Sequence, residues 1–554
     1  MDTQRLILFI VIGFSVMMLW QSWEHRNAQP LPATGQSTAS VQGEAPPSAG
    51  ESLTSVPPAA GGDSGPAVVA TSGAVLSKGE RVNVRTDVLD VEIDTRGADL
   101  RRIRLPAYPV DIDHPDEPFV LLNDELPKFF IAQARLVASP GAAAVADQPI
   151  FKTEHKHYEL AGDAGEMTVV LTADGGNGIA IERRYLFKRG DYAIGVQTVV
   201  TNASGAEWKG YEYRQLQRTQ VPEGSGNAFI YTYDGGVIYS PEEKYEKVSF
   251  EDMLDKRLER SVQGGWIAMI QHYFVGAWVP TADQRQLFYT RTASNSRYIL
   301  GMTTPSVRIA NGDRATFDST IFAGPKLQDR LEELAPGLDL TVDYGALTII
   351  AKPIFWLMQQ IHNLVGNWGW TIILLTILIK LVFYKLSETS YRSMAHMRRV
   401  GPKLQQLRER HKDDKQKLNQ AMMDLYKKEK INPLGGCLPI VVQIPVFIAL
   451  YWVLLESVEM RQAPWVLWIR DLSLKDPYFV LPLIMGATMF IQQKLNPAPP
   501  DPIQAKIMMA LPVIFTVFFA FFPSGLVLYW AVNNALSILQ QWTITKRIEA
   551  AAAH

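Results

Sequence analysis

The run Trp368–Leu386, WGWTIILLTILIKLVFYKL, decides how the chain is read. Its 19 residues are long enough to cross a bilayer core as a helix. Trp368 and Trp370 stand at one end, where tryptophan anchors helices at the membrane surface. Inside the run stands one cation, Lys380. At a rise of ~1.5 Å per residue it lies roughly 18 Å from Trp368 and about 9 Å from the other end. A charge at that depth costs at least ~2.5–3.5 kcal/mol on insertion scales, which makes it a candidate site. Lys380 can equally snorkel to the nearer surface on its long stem. Spacing alone leaves both readings open.

Downstream, Ser387–Asn432 is basic. From Lys385 to Lys430 there are 13 Lys/Arg and six Asp/Glu, an excess of seven positive charges. By the positive-inside rule this segment is cytoplasmic. Met394, Met397, Leu404 and Leu407 keep helical spacing, and Leu418, Met422 and Leu425 repeat it after the polar turn HKDDK. The pattern predicts a helical hairpin with a narrow apolar seam. Its cations serve as topology determinants and contacts to anionic lipid, or meet ribosomal RNA.

Upstream, Ala351–Gly366 is amphipathic. Ile354, Leu357, Met358, Ile361, Leu364 and Val365 share one face; Gln359, Gln360 and Asn363 share the other. Such a helix lies in the membrane interface or packs under a neighbouring domain. Beyond the hairpin, Leu438–Leu455, Tyr478–Gln492, Ile507–Phe522 and Leu526–Trp542 read as further spans, with a tight turn at Phe522–Gly525. Leu6–Trp20 reads as an uncleaved signal anchor. The total is six spans with both termini cytoplasmic. Thr376, Lys380, Gln443, Thr516, Asn533 and Asn534 are polar groups inside these helices. Each alone is an ordinary interhelical hydrogen-bonding residue; together they suggest a hydrated cavity.

Between anchor and bundle, Asn27–Lys78 is rich in Pro, Gly, Ala and Ser, the composition of a flexible tether. Glu80–Pro325 alternates apolar and polar residues, as in Val82–Asp94, Met167–Ala173 and Tyr192–Asn202, and predicts a two-sheet β-sandwich outside the cytoplasm. Asp234-Gly235-Gly236 is a hairpin cue. Phe250–Arg260 and Leu327–Leu334 read as charged helices, and Gly264–Pro280 as buried strands, not a span. His155, His157 and His272 show no metal-ligand spacing, so no metal or cofactor is expected. A single cysteine, Cys437, excludes an intrachain disulfide. The net charge of −2 does not mark a DNA-binding protein. There is no phosphate-binding loop or acidic proton relay. A transporter or lipid flippase with a sugar-binding periplasmic domain is the alternative to the reading below.

NPLGGCLPIVVQIPVFIALYWVL (Asn432–Leu454), VEMRQAPWVLWIRDLS (Val458–Ser473), DPYFVLPLIMGATMFIQQKL (Asp476–Leu495) and ALPVIFTVFFAFFPSGLVLYWAVNN (Ala510–Asn534) resemble the bacterial YidC-type membrane protein insertases of the YidC/Oxa/Alb family. The resemblance extends over essentially the whole chain and implies the Gram-negative form. Its implied plan is a signal anchor (1–26), linker (27–79), periplasmic β-sandwich (80–343), interfacial helix (344–367), second span (368–386), cytoplasmic hairpin (387–432), four further spans (433–545) and a tail (546–554). Five core helices then enclose a hydrophilic groove open to cytoplasm and lipid. The family's basic groove residue falls on Lys380, where arginine is usual; its threonine falls on Thr376 and its glutamine on Gln443. A Tyr-Tyr pair becomes Tyr529-Trp530, and Asn533 joins the groove from the same helix. A proline after the cation becomes Lys385, which implies a straighter helix end. The implied function is insertion and chaperoning of nascent membrane proteins in the bacterial inner membrane, without enzymatic bond making. The implied partners are client chains, the Sec translocon and its accessory subunits, and ribosome–nascent chain complexes. Arg392, Arg398, Arg399, Lys403, Arg408 and Arg410 would form the hairpin's capture surface.

Overall fold

A computed structural model of the chain describes residues 78–220, 232–280, 284–293, 296–411, 414–429, 438–496 and 502–553. The expected signal anchor, the tether up to residue 77, and Cys437 lie outside the described residues.

Among the described residues, nineteen strands form an eleven-stranded and an eight-stranded sheet packed face to face. Trp208–Thr219 lies inside the larger sheet, antiparallel to Phe130–Ala138 and Arg297–Thr303. The expected alternation is present in Met167–Ala173, where Val169, Leu171 and Ala173 are buried, and continues in Ile179–Lys188. Trp208, Trp266 and Trp278 fill the core between the sheets. Burial of large aromatic area at ~25 cal/mol per Å² drives this packing. Trp266–Ile270 and Phe274–Pro280 are buried strands, as expected from their Gly and Pro punctuation.

Two local expectations fail. Gly235 and Gly236 do not turn; they start the strand Gly235–Ser240 and pair with Ile270 and Met269. They are glycines because of crowding: a Cβ on Gly236 would sit 2.5 Å from Met253 Cε. The charged segment 250–260 is helical only over α1 (Phe250–Asp255), started by a Ser249–Asp252 capping box. From Glu259 the chain is strand instead, paired with Arg285–Ala293.

Helices follow the sandwich. These are α2 (Gln328–Leu334), α3 (Thr348–Val365), α4 (Trp368–Val382), α5 (Tyr384–Arg410), α6 (Lys415–Lys428), α7 (Leu438–Glu456), α8 (Val480–Leu495), α9 (Pro502–Phe519) and α10 (Ser524–Ala553). Gly366, at φ 68°, ends α3 in the left-handed conformation that glycine accepts without strain. Asn367 then caps α4 by accepting from Trp370 N. The buried face of α3 is Ala351, Phe355 and Met358, packed on α7 and α4, while Leu364 is 88% exposed. Of the expected apolar face, Met358 is buried and Ile354, Leu357 and Ile361 pack against the core, while Leu364 and Val365 are exposed.

The run 368–386 is not one straight helix. It breaks at Phe383 and turns by 67° into α5. Charged residues begin just beyond the turn: Lys385 is 92% exposed and Glu388 pairs with Arg392 at 2.8 Å. Loss of the family's proline does not straighten this end. Among the described residues no single helix is long and apolar enough to cross a membrane; α4 with the start of α5 is so only as a bent pair. The expected separate tail from residue 546 is the continuation of α10.

The sandwich is clasped to the bundle by the segment between α7 and α8. Arg461 Nη2 donates to Pro109 O and Val110 O, Gln462 Nε2 donates to Pro109 O at 2.9 Å, and Arg470 pairs with Asp113 at 3.0 Å. Beneath them Lys326 Nζ meets Glu456 at 3.3 Å, with side chains only 1% and 4% exposed.

Candidate functional site

The side of α4 that faces the bundle is set by helical spacing. Ile372 and Thr376 are buried and Lys380 continues their line at i+4 and i+8, whereas Leu374, Leu378, Leu381 and Val382 are exposed. Thr376 Oγ1 donates to Ile372 O at 2.6 Å, within its own helix. One turn further, Lys380 Nζ donates to Ser537 Oγ on α10 at 2.7 Å. Ser537, 3% exposed, donates in turn to Asn533 O at 2.7 Å. The half-buried ammonium is thus held inside the bundle by a hydroxyl.

Tyr529 and Trp530 sit elsewhere, in an aromatic cluster. Phe447 of α7 lies 5.8 Å from Tyr529 and 4.5 Å from Trp530, and Phe519 of α9 lies 4.3 Å from Trp530. Tyr529 is buried; Trp530 and Gln443, one turn before Phe447, are half-buried. The structure therefore joins Lys380 through Ser537 to the backbone carbonyl of Asn533 and sets Tyr529 and Trp530 in the packing between α7, α9 and α10. Thr516 Oγ1 is occupied by Pro512 O, and Gly486 of α8 lets that hydroxyl approach. Asn534 is buried, and its Nδ2 has no hydrogen-bond partner among the described residues.

Sequence reasoning missed Ser537, Gln540 and Gln541. They follow Asn533 at i+4, i+7 and i+8, so the signal was a polar stripe along one side of α10. Gln541 reaches Leu495 O and Asn496 at the far end of α8.

α5 and α6 form the expected hairpin. Its seam is Val400 and Leu404 with Met397, Met422, Leu425 and Tyr426. Asp414 caps α6 by accepting from Gln416 N and Lys417 N. Lys403 pairs with Glu429 across the hairpin at 2.7 Å, and Arg399 reaches Ile548 O on α10. Arg410 is exposed. The side chains of Arg398 and Arg408 lie outside the described residues. The hairpin joins the ends of α4 and α7 that point away from the clasp, so it and the sandwich occupy opposite ends of the bundle.

His155 and His157 are exposed, but His272 is half-buried and bonds through Nε2 to Leu455 O at 2.9 Å. Burial, then the neighbouring Lys326 cation, push its pKa down from 6.5 to about 3. Acidification from 6.5 toward 3 therefore protonates the unfolded chain first and removes stability, by up to about 1.4 kcal/mol per pH unit. Nearby Glu459 has the opposite sign: burial, with Asp329 adding to it, lifts its pKa from 4.5 to about 7. Its contribution is full below 4.5 and is lost as pH rises toward 7. The two slopes oppose each other between 4.5 and 6.5. His272→Gln is expected to expose the Glu459 slope, making the purified protein melt higher as pH falls through that window. Thermal unfolding in detergent across the window checks this; a variant whose dependence matches the parent's refutes it.

Residues 81–357 match the family model of the YidC periplasmic domain, and residues 360–551 match that of the 60Kd inner membrane protein. The chain is 52% identical over 561 residues to the membrane protein insertase YidC of Thioalkalivibrio sulfidiphilus, covering all of this chain and 99% of that one. It is 50% identical over 558 residues to the insertase of the same name from Pseudomonas putida W619, again covering all of this chain and 99% of the relative. A crystal structure of an active YidC insertase with its first transmembrane domain resolved is similar at a TM-score of 0.36 and 16% identity, covering 84% of this chain and 95% of that one.

Proposed function

The chain belongs to the YidC family of membrane protein insertases, and from that premise we propose that it moves polar client segments past the ammonium of Lys380. Full-length relatives at about half identity are insertases, and the transporter or flippase alternative finds no support among them. The observation that carries the mechanism is an ammonium turned into the bundle and held by Ser537. A polar client segment must cross ~30 Å of hydrocarbon. Polar groups along α4 and α10 shorten the dry part of that path. The cation attracts acidic client residues, and low surrounding dielectric strengthens the attraction. The client's apolar segment then moves sideways into lipid, driven by its own burial at ~25 cal/mol per Å². No bond is made or broken.

In this reading the chain crosses the bacterial inner membrane six times with both termini cytoplasmic. The sandwich is periplasmic, and the basic hairpin at the other end of the bundle first meets the ribosome–nascent chain complex. The protein works alone or beside the Sec translocon. Its placement is supported by the charge excess of 385–430 and by the separation of hairpin and sandwich.

Photocrosslinkers placed at Lys380, Gln443 and Trp530 are expected to capture a stalled nascent chain several-fold more than crosslinkers at Leu378 and Leu381 on the exposed side of α4. Equal capture from both sets refutes the proposed path.

A further inference from the structure

We propose that Ser537 of α10 is a positioning residue for Lys380 and fixes where the ammonium sits. The inference rests on the path proposed above and names the residue that aims its cation. The Ser537 hydroxyl has one proton and two lone pairs. The proton goes to Asn533 O at 2.7 Å, which turns the lone pairs toward other donors. Lys380 Nζ takes one at 2.7 Å. Polar groups from α4 and α10 thus converge on one small hydroxyl.

The chemistry of that hydroxyl suits a holding role. Among the described residues no carboxylate lies within ion-pairing distance of Lys380. Serine orients the ammonium without neutralising it. An arriving client carboxylate forms a charge-assisted bond roughly twice as strong as a neutral one, so it displaces the serine. An aspartate at the same place would compete with the client on equal terms.

The test is insertion of two single-span clients, one with an acidic and one with a neutral extracytoplasmic tail, in cells depleted of the native copy. Ser537→Ala is expected to lower acidic-tail insertion several-fold and to leave the neutral tail unchanged. Ser537→Thr, which keeps the hydroxyl, is expected to restore it. Adding Ser537→Ala to Lys380→Ala is expected to have no further effect, because a positioning residue has nothing left to position. Equal losses for both tails, or losses that add to those of Lys380→Ala, show a structural role and overturn the inference. Impairment by Lys380→Ala with none by Ser537→Ala overturns it while leaving the path intact. No effect of Lys380→Ala on the acidic tail overturns both.

Discussion

Lys380→Glu is expected to reduce insertion of acidic-tailed clients by one to two orders of magnitude, with Lys380→Ala between it and the parent and Lys380→Arg close to the parent. What changes is the field met by the client. Two unit charges ~4 Å apart interact by about 1 kcal/mol in water and about 4 kcal/mol at an effective dielectric near 20. Reversing the sign replaces attraction by repulsion of that size, and every ~1.4 kcal/mol is tenfold. Arginine keeps the charge and adds donors, so it should bind a client carboxylate at least as well. Pulse-labelling and protease accessibility of the client tail in a depletion background measure this. Indistinguishable insertion by the Glu, Ala and Arg variants would sink the proposed role of the cation.

The second large effect is at the clasp between sandwich and bundle. Lys326→Met leaves Glu456 buried without its partner, and breaking such a pair costs roughly 3–5 kcal/mol. Lys326 Nζ also donates to Thr341 O at 3.1 Å, so that carbonyl loses a partner as well. Replacing both, as Lys326→Met with Glu456→Leu, removes the stranded charge and is expected to recover most of the loss. Thermal unfolding of the purified protein reads the first effect. Proteolysis between sandwich and α3 reads whether the clasp has opened. A Lys326→Met protein that melts and resists protease like its parent contradicts the assignment.

Elements governed by local pattern were readable from sequence. The alternation of Met167–Ala173, the Gly- and Pro-punctuated strands of 264–280 and the repeated apolar spacing of the hairpin each report a nearest-neighbour rule. The failures are places where distant residues decide. Gly235-Gly236 has the composition of a turn, yet Met253 and the strand at Trp266–Ile270 make it the tight start of a strand. At the site, Lys380 was legible because a cation in an apolar run is costly wherever it points. Ser537 was not, because a serine in a helix is unremarkable until Lys380 is seen to reach it. The aromatic pair Tyr529-Trp530 was matched by motif, and only packing against Phe447 and Phe519 shows how it is surrounded.

The kink at Phe383 has a mechanical corollary. α4 has 15 residues before it, which at ~1.5 Å each makes a rod about 22 Å long. Oil of ordinary depth, ~30 Å, overtops it by about 8 Å. Lipids alongside must dimple to meet its ends, at fractions of a kcal/mol per Å. A passenger slipping down that flank meets a shallower sea than in an undimpled bilayer.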